Sequence, residues 1–309
     1  MPELPEVEVV REGLDKWVRS RLIESAQVLD PRSVRRHADG VRDFEETLAG
    51  CTLASVVRRG KFLWMDLEGL SEPAALVVHL GMSGQLLVEE PDAPDEKHLK
   101  VRLSLSERSD APSELRFVDQ RIFGGMFLSP LVPTADGHPG GAGSDKPCIA
   151  QAAAHIARDV LDPYRDTNSL YLSLRKRTTD LKRAILDQGV ISGVGNIYAD
   201  EALWQAGLSG LRNTATIRRP EVERLDAALT DVMSRALDAG GTSFDSLYVN
   251  VNGASGYFSR SLNAYGREGK ACRRCAGNGR ESLIRRDPFM GRSSYSCPVC
   301  QPRPRIARR

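Results

Sequence analysis

The chain has 309 residues, 41% of them hydrophobic, and sets 43 Lys and Arg against 41 Asp and Glu for a net charge of +2. That length can bury a sizeable core divided over two or three units. The sequence holds no long apolar run and no charged-then-apolar leader, which argues against a membrane span and a secretory signal and leaves the cytoplasm as the expected compartment.

The charge is unevenly placed. Residues 267–309 carry +9, from eleven Arg and one Lys against Glu268, Glu281 and Asp287, and the rest of the chain carries −7. A basic end on an acidic body points to a polyanionic partner, nucleic acid before membrane.

The chain opens MPELPEVEVV. Pro5 suits the first turn of a helix, and Glu6 and Glu8 put negative charge at the positive end of its dipole. Val7, Val10, Leu14, Trp17 and Val18 recur on one amphipathic face. Helix formation alone leaves Pro2 unexplained, since a start methionine before a small residue is normally trimmed and would expose a secondary amine. Short apolar or alternating segments follow: LIESAQVL, TLASVVRRGKFLWMDL, AALVVHLGMSGQLLVE, LKVRLSLS and LRFVDQRIFGGMFL. Punctuated by Gly, Pro and Asp, they predict a β-sandwich or barrel-like unit, with its helix, over residues 1–133. PTADGHPGGAGSDKP then breaks the pattern, and residues 134–150 read as a flexible linker or insertion.

From residue 151 the pattern turns helical: AQAAAHIARDVL, SLYLSLRKRTTDLKRAILDQ, NIYADEALWQAG and RPEVERLDAALTDVMSRALDAG. The last opens on Pro220 and Glu221 and stops at Gly240-Gly241. This unit is expected to run to residue 265, through the loop-rich GTSFDSLYVNVNGASGYF. Residues 266–302 hold Cys272, Cys275, Cys297 and Cys300, two C-x2-C pairs with 21 residues between them. Four such thiolates suit a tetrahedral Zn²⁺ with no open position, hence one structural ion. Disulfides fit poorly because nothing indicates export, and Cys51 and Cys148 read as ordinary thiols. Arg292, in GRSSYS between the pairs, belongs near the tip or face of a hairpin, where it can clamp phosphate or simply be solvated. Residues 303–309 are a basic tail.

Taken together, MPELPEVE, RRGKFL, HLGMSG, DQRIFGG, LDQGVISGVGNIYADEALW, GYFSRSLNAYGREGKACRRC and GRSSYSCPVCQ resemble, in this order and over nearly the whole chain, the bacterial formamidopyrimidine-DNA glycosylases. The resemblance implies a multidomain α+β fold: an N-terminal helix with a β-sandwich, a helix-two-turns-helix domain and a C-terminal zinc-finger β-hairpin, with DNA in the cleft between the halves. It implies a monomeric bifunctional glycosylase and AP lyase of base excision repair. Such an enzyme removes 8-oxoguanine and formamidopyrimidines from double-stranded DNA and then cuts the strand by β,δ-elimination. Relatives of the endonuclease VIII branch, which prefer oxidised pyrimidines, usually carry glycine where Leu4 stands. That specificity, and a non-catalytic damage-binding protein on the same scaffold, are the alternatives.

By the same resemblance the catalytic set is Pro2, Glu3, Lys61 and Arg292. The Pro2 nitrogen attacks C1′ of the damaged nucleotide, Glu3 shuttles protons, Lys61 assists elimination, and Arg292 binds the phosphates around the lesion. A flipped base leaves a gap. Met82 is the expected wedge, with Arg121 on the orphaned base and Phe123 stacked beside it, although a core position fits Met82 alone equally well. His98, Arg177, Lys182 and Asn196 are expected DNA contacts. Asn196 enters a helix through glycines, where N–H groups and the dipole attract phosphate. The loop from Thr242 to Tyr257 takes the place of the loop that covers the flipped base. Three departures stand out: Ile122 replaces a second Arg of many relatives, the 21-residue Cys spacing predicts an enlarged hairpin turn, and residues 134–146 have no assigned role.

Overall fold

The apolar stripe at the start of the chain becomes α1 (Leu4–Val18), with Val7, Leu14 and Val18 fully buried. The structure, a computed structural model, describes residues 2–241 and 258–304. It divides the chain into two units, Met1–His155 with Gly240–Tyr257 and Ile156–Ala239 with Phe258–Arg309. Among the described residues no helix is long and apolar enough to cross a membrane.

In the first unit α1 is followed by β1 (Ile23–Val28), α2 (Gly40–Leu48), β2 (Thr52–Arg59), β3 (Phe62–Glu68), β4 (Ala74–His79), β5 (Gly84–Glu89), β6 (Leu99–Leu105), β7 (Glu114–Asp119), β8 (Gly125–Pro133) and β9 (Cys148–Ala150). They make two antiparallel sheets, ordered β1-β6-β7-β5 and β2-β3-β4-β8-β9. Along β6 buried and half-buried residues alternate, as in a strand with one face on a core. A single apolar cluster draws on both sheets and both helices. It takes Val7 and Leu14 from α1, Phe44 and Leu48 from α2, Leu53 and Met65 from one sheet, and Val101 and Phe117 from the other. The expected sandwich is therefore present. α2 leaves little trace in the sequence, because Phe44 and Leu48 are its only buried residues.

Residues 134–150 are laid against the sheet rather than strung out as a tether. β9 pairs with β8, and Arg58 and Ala142 exchange backbone hydrogen bonds of 3.0 and 2.9 Å. A Cβ on Gly141 would sit 2.2 Å from the Arg58 carbonyl oxygen, so this glycine permits a close backbone approach.

The second unit holds α3 (Thr167–Arg175), α4 (Leu181–Leu186), α5 (Asn196–Ala206), α6 (Arg219–Asp238), α7 (Arg273–Gly277) and a hairpin of β10 (Arg285–Phe289) and β11 (Arg292–Ser296). α6 packs on α5 and α3, and α4 on α5. α6 keeps its expected signals: Pro220 in the first turn, a Glu221 carboxylate that accepts the Arg218 N–H at 2.8 Å, and Gly240 at φ 73° beyond its end.

Two helical expectations are corrected. AQAAAHIARDVL makes only a 3-10 turn at Gln151–Ala153, because its backbone is engaged elsewhere: the Ala152 N–H donates to the Ser129 hydroxyl and the Ala157 N–H to the Gln188 carbonyl. SLYLSLRKRTTDLKRAILDQ breaks between α3 and α4. There the Thr214 N–H donates to the Thr179 carbonyl at 3.0 Å and the Thr179 N–H to the Thr214 hydroxyl at 3.2 Å, while Asp180 stands at the N-cap of α4. The backbone of Thr179 is thus held by Thr214, which lies outside the segment, and cannot continue a helix.

α1 is tied to β2 by charge as well as by apolar packing. Glu8 accepts from Arg58 Nε at 2.5 Å and from Arg11 Nε at 2.8 Å, and the Arg58 side chain is 2% exposed. Arg58 also donates to the Gly60 carbonyl at 3.2 Å, beside the turn that joins β2 to β3. Glu8→Ala should remove the carboxylate that faces a buried guanidinium and destabilise the first unit by about 3–5 kcal/mol. A urea unfolding midpoint unchanged from wild type would refute that assignment.

Candidate functional site

α1 begins at Leu4, so Pro2 and Glu3 stand immediately before it, with Glu3 at the N-cap. The Glu6 carboxylate accepts the Glu3 N–H at 3.0 Å, one arm of a capping box. Glu3 and Glu6 are 5% and 8% exposed, and Pro2 is also buried. Gly241, at φ +84°, lies against Glu6: a Cβ there would come within 3.1 Å of Oε1. Glu6, read in the sequence as helix-start charge, thus fixes the backbone of the residue next to Pro2. α1 packs on β2 and β3, and the turn joining those strands carries Lys61, half-buried. Lys61 stands just before β3. It is the second residue of a two-residue turn, after Gly60 at φ 58°, the Gly-X pattern of tight hairpins.

A second group gathers around Asp119, whose side chain is fully buried. Ser83 Oγ donates to Oδ1 at 2.5 Å, the Arg121 N–H to Oδ1 at 3.1 Å, and the Gly124 N–H to Oδ2 at 2.8 Å. The Asp119 N–H donates to the His98 carbonyl at 3.0 Å. One residue therefore joins the turn bearing Met82, the segment bearing His98 and the loop bearing Arg121 and Phe123. Met82 and His98 are half-buried, Arg121 is exposed, and Phe123 is 48% exposed. The Arg121 guanidinium lies over the Phe123 ring at 4.9 Å, a cation–π contact. Ile122 between them takes φ 54°, which costs a β-branched residue about 1–3 kcal/mol. His79, at the end of β4, has its imidazole held below the usual range by burial and by Arg36. Asp119 and Ser83 are missed in the sequence, where only their neighbours in DQRIFGG and HLGMSG look functional.

The second unit brings together the start of α5 and the β10–β11 hairpin. Asn196 is the first residue of α5, and its Nδ2 donates to the Ser293 carbonyl at 2.9 Å. One turn on, Asp200 accepts from Ser294 Oγ at 3.1 Å and from the Tyr295 N–H at 2.9 Å, and it pairs with Lys182 Nζ at 2.7 Å. Burial pushes the Asp200 carboxyl up to about 6 against the pull of Lys182. Lys182, expected as a surface DNA contact, is only 1% exposed, its ammonium also lying over the Phe289 ring at 4.7 Å. Arg177 pairs with Asp187 at 3.1 Å and is 36% exposed. Glu201 accepts the N–H groups of Asn263, Ala264 and Tyr265 at 2.7–2.8 Å. Nothing in NIYADEALW distinguishes Asp200 or Glu201 from ordinary surface acids. The loop from Thr242 to Tyr257 lies outside the described residues.

The four cysteine sulfurs lie within 4.8 Å of one another, Cys272 to Cys300 at 3.8 Å and Cys275 to Cys297 at 3.6 Å. Ligands about 2.3 Å from a tetrahedral zinc stand about 3.8 Å apart, so the donor set fits that ion. Burial opposes ionisation of Cys297, but N–H groups of Cys300 and Val299 and the Ser282 hydroxyl outweigh it and hold its thiol below the usual range. Trp204 Nε1 donates to Cys272 Sγ at 3.3 Å, joining α5 to the cluster. Arg292 is exposed on the first residue of β11, as expected near a tip. The enlarged turn is corrected: Met290 (φ 47°) and Gly291 (φ 70°) alone link the strands, and before β10 residues 282–284 bond back to 269–272.

Similarity to known proteins follows this architecture. The family model described as the formamidopyrimidine-DNA glycosylase N-terminal domain matches residues 1–126, and that of the formamidopyrimidine-DNA glycosylase H2TH domain matches residues 156–247. The formamidopyrimidine-DNA glycosylase of Kineococcus radiotolerans is 56% identical over 99% of both chains, and that of Thermobifida fusca 53% identical over 100% of both. Among solved structures, Lactococcus lactis Fpg bound to DNA with an abasic site is 27% identical with a TM-score of 0.77, over 97% of this chain and 99% of that one.

If the four sulfurs hold zinc, Cys297→Ser should lower the metal content from one equivalent per chain to near zero and weaken duplex binding. Retention of a full equivalent of zinc with unchanged affinity would exclude the site.

Proposed function

The chain belongs to the formamidopyrimidine-DNA glycosylase family, DNA-repair enzymes that combine glycosylase and AP lyase activities, and from this we propose that it excises oxidised purines from duplex DNA through a covalent adduct on Pro2. The observation that carries this assignment is the setting of Pro2 and Glu3 immediately before α1, which packs on the two strands that end in the Lys61 turn.

The Pro2 nitrogen forms a bond to C1′ as the bond from C1′ to the base breaks, and the base leaves with a proton. Opening of the sugar ring then breaks C1′–O4′, with Glu3 supplying a proton to the ring oxygen. What remains is an iminium, which a secondary amine cannot shed by losing a proton. Its charge withdraws electrons and acidifies C2′. Loss of that hydrogen expels the 3′ phosphate, and a second elimination expels the 5′ phosphate, with Lys61 assisting proton movement. An α-amino group titrates about two units below a lysine, so more of it is neutral near pH 7. The burial of Glu3 directly beside Pro2 supports its assignment as the proton carrier.

Residues of both units are proposed to read the duplex. Met82, Arg121 and Phe123 fill the gap left by the flipped nucleotide, while His98, Arg177, Asn196 and Arg292 hold phosphates. Lys182 serves by anchoring Asp200, which in turn holds the hairpin. The zinc, when bound, supplies a rigid frame for that hairpin and takes no part in the chemistry. The proposed divisions are residues 1–133, 151–265 and 266–302, a basic tail from 303, and a lesion-covering loop within the second of them.

Salt should weaken binding steeply. With roughly four to seven phosphates neutralised, log K against log salt should slope between about −4 and −6, and a slope near zero would contradict this footprint. Pro2→Gly should bind lesion duplex yet yield no borohydride-trapped adduct, and Glu3→Gln should bind and fail at base release. Lys61→Ala should lose more activity on 8-oxoguanine than on preformed abasic sites. Mass spectrometry of the trapped, proteolysed complex is decisive: an adduct on any residue other than the terminal proline overturns the mechanism. Duplexes carrying 5-hydroxycytosine tested alongside separate purine from pyrimidine specificity.

A further inference from the structure

We propose that Asp119 and Ser83 are positioning residues that lock the Met82 turn to the Arg121–Phe123 loop, so that the gap-filling wedge is assembled before DNA arrives. The inference holds provided that, as proposed above, Met82, Arg121 and Phe123 are the residues that enter the duplex.

Three observations support a preassembled wedge. The Asp119 carboxylate uses both oxygens: Oδ1 takes the Ser83 hydroxyl from one loop and the Arg121 N–H from the other, and Oδ2 takes the Gly124 N–H. The Arg121 N–H also reaches Ser83 Oγ at 3.1 Å, which closes a three-membered ring of hydrogen bonds between the loops. Next, the loops touch backbone to backbone. A Cβ on Gly81 would lie 2.5 Å from the Gly124 nitrogen, and a Cβ on Gly124 would lie 2.5 Å from the His79 carbonyl oxygen. Finally, the exposed part already has its shape, with Arg121 stacked over Phe123 and Ile122 held at a left-handed φ that it would not adopt in a free loop.

The chemistry of the joint is specific to a carboxylate. Among the described residues its donors are a hydroxyl and two backbone N–H groups, none of them a cation. An ionised carboxylate only accepts, whereas an amide presents an NH₂ at one of its two positions. Asn at 119 would therefore set a donor against a donor on one side of the ring, with almost no change in volume. One loop would be released while the strand pairing of Asp119 with Gly84 is left in place.

The test compares two substrates for the zinc-loaded enzyme: an 8-oxoguanine duplex, and a single-stranded oligonucleotide with a preformed abasic site. The single strand has no gap to fill and no orphaned base, so the wedge has nothing to do there. Asp119→Asn should lower kcat/KM on the duplex by about 10- to 100-fold while nicking of the single strand stays within about twofold. A 2-aminopurine opposite the lesion should lose most of its fluorescence change on binding. Ser83→Ala, which removes one bond and folds more safely, should show the same split at about 3- to 10-fold. Equal losses on both substrates would mean a general role in folding and overturn the proposal, as would an undiminished duplex rate. A wild-type enzyme inactive on both substrates would overturn the assignment of function beneath it.

Discussion

A carboxylate removed from water must be surrounded by donors or give up its charge, and this chain meets that constraint at the places its proposed chemistry depends on. Glu8 meets Arg58, Asp119 meets Ser83 and two N–H groups, Asp200 meets Lys182 and the β11 strand, and Glu201 meets three successive N–H groups. Each joins segments that are distant in sequence. Removal of such an acid therefore does more than weaken a fold, because it releases the loop or strand that the acid was holding.

The start of the chain shows how capping and catalysis share a few residues. A helix needs partners for its first N–H groups, and the Glu3 to Glu6 contact belongs to that ordinary requirement. The same requirement confines Glu3 to one place beside Pro2. The glycine at position 241 completes the enclosure, since any larger residue would meet the Glu6 carboxylate. The proposed reagent is thus held against the capped first turn of a helix.

What was legible in the sequence had a local signature. The stripe of α1, the caps of α6, the apolar strands and the paired cysteines all announce themselves within a dozen residues, and all are present. The failures are equally physical. An alanine-rich stretch looks helical until Ser129 and Gln188, far away in sequence, take its hydrogen bonds. The burial of Lys182 against Asp200 has no local mark either, because the two are 18 residues apart. Asp119 and Glu201 look like any acids because their importance lies in which backbone groups fold around them. The residues proposed to meet the substrate lie in motifs that the sequence displays, and the acids behind them, Asp119, Asp200 and Glu201, carry no such local mark.

The Gly60-Lys61 turn has a consequence for how such a protein can change. Two residues link β2 and β3, and the pairing of Arg59 with Phe62 sets where Lys61 stands. Its coordinates are indexed by a sheet, not by a loop. A longer link would leave every ladder bond intact and yet carry the ammonium outward by up to about 3.3 Å for every two residues added, one on each arm. A slip of one residue in the pairing would turn each side chain of the strand to the opposite face. Insertions that a surface hairpin ordinarily absorbs would therefore displace the side chain that this turn presents.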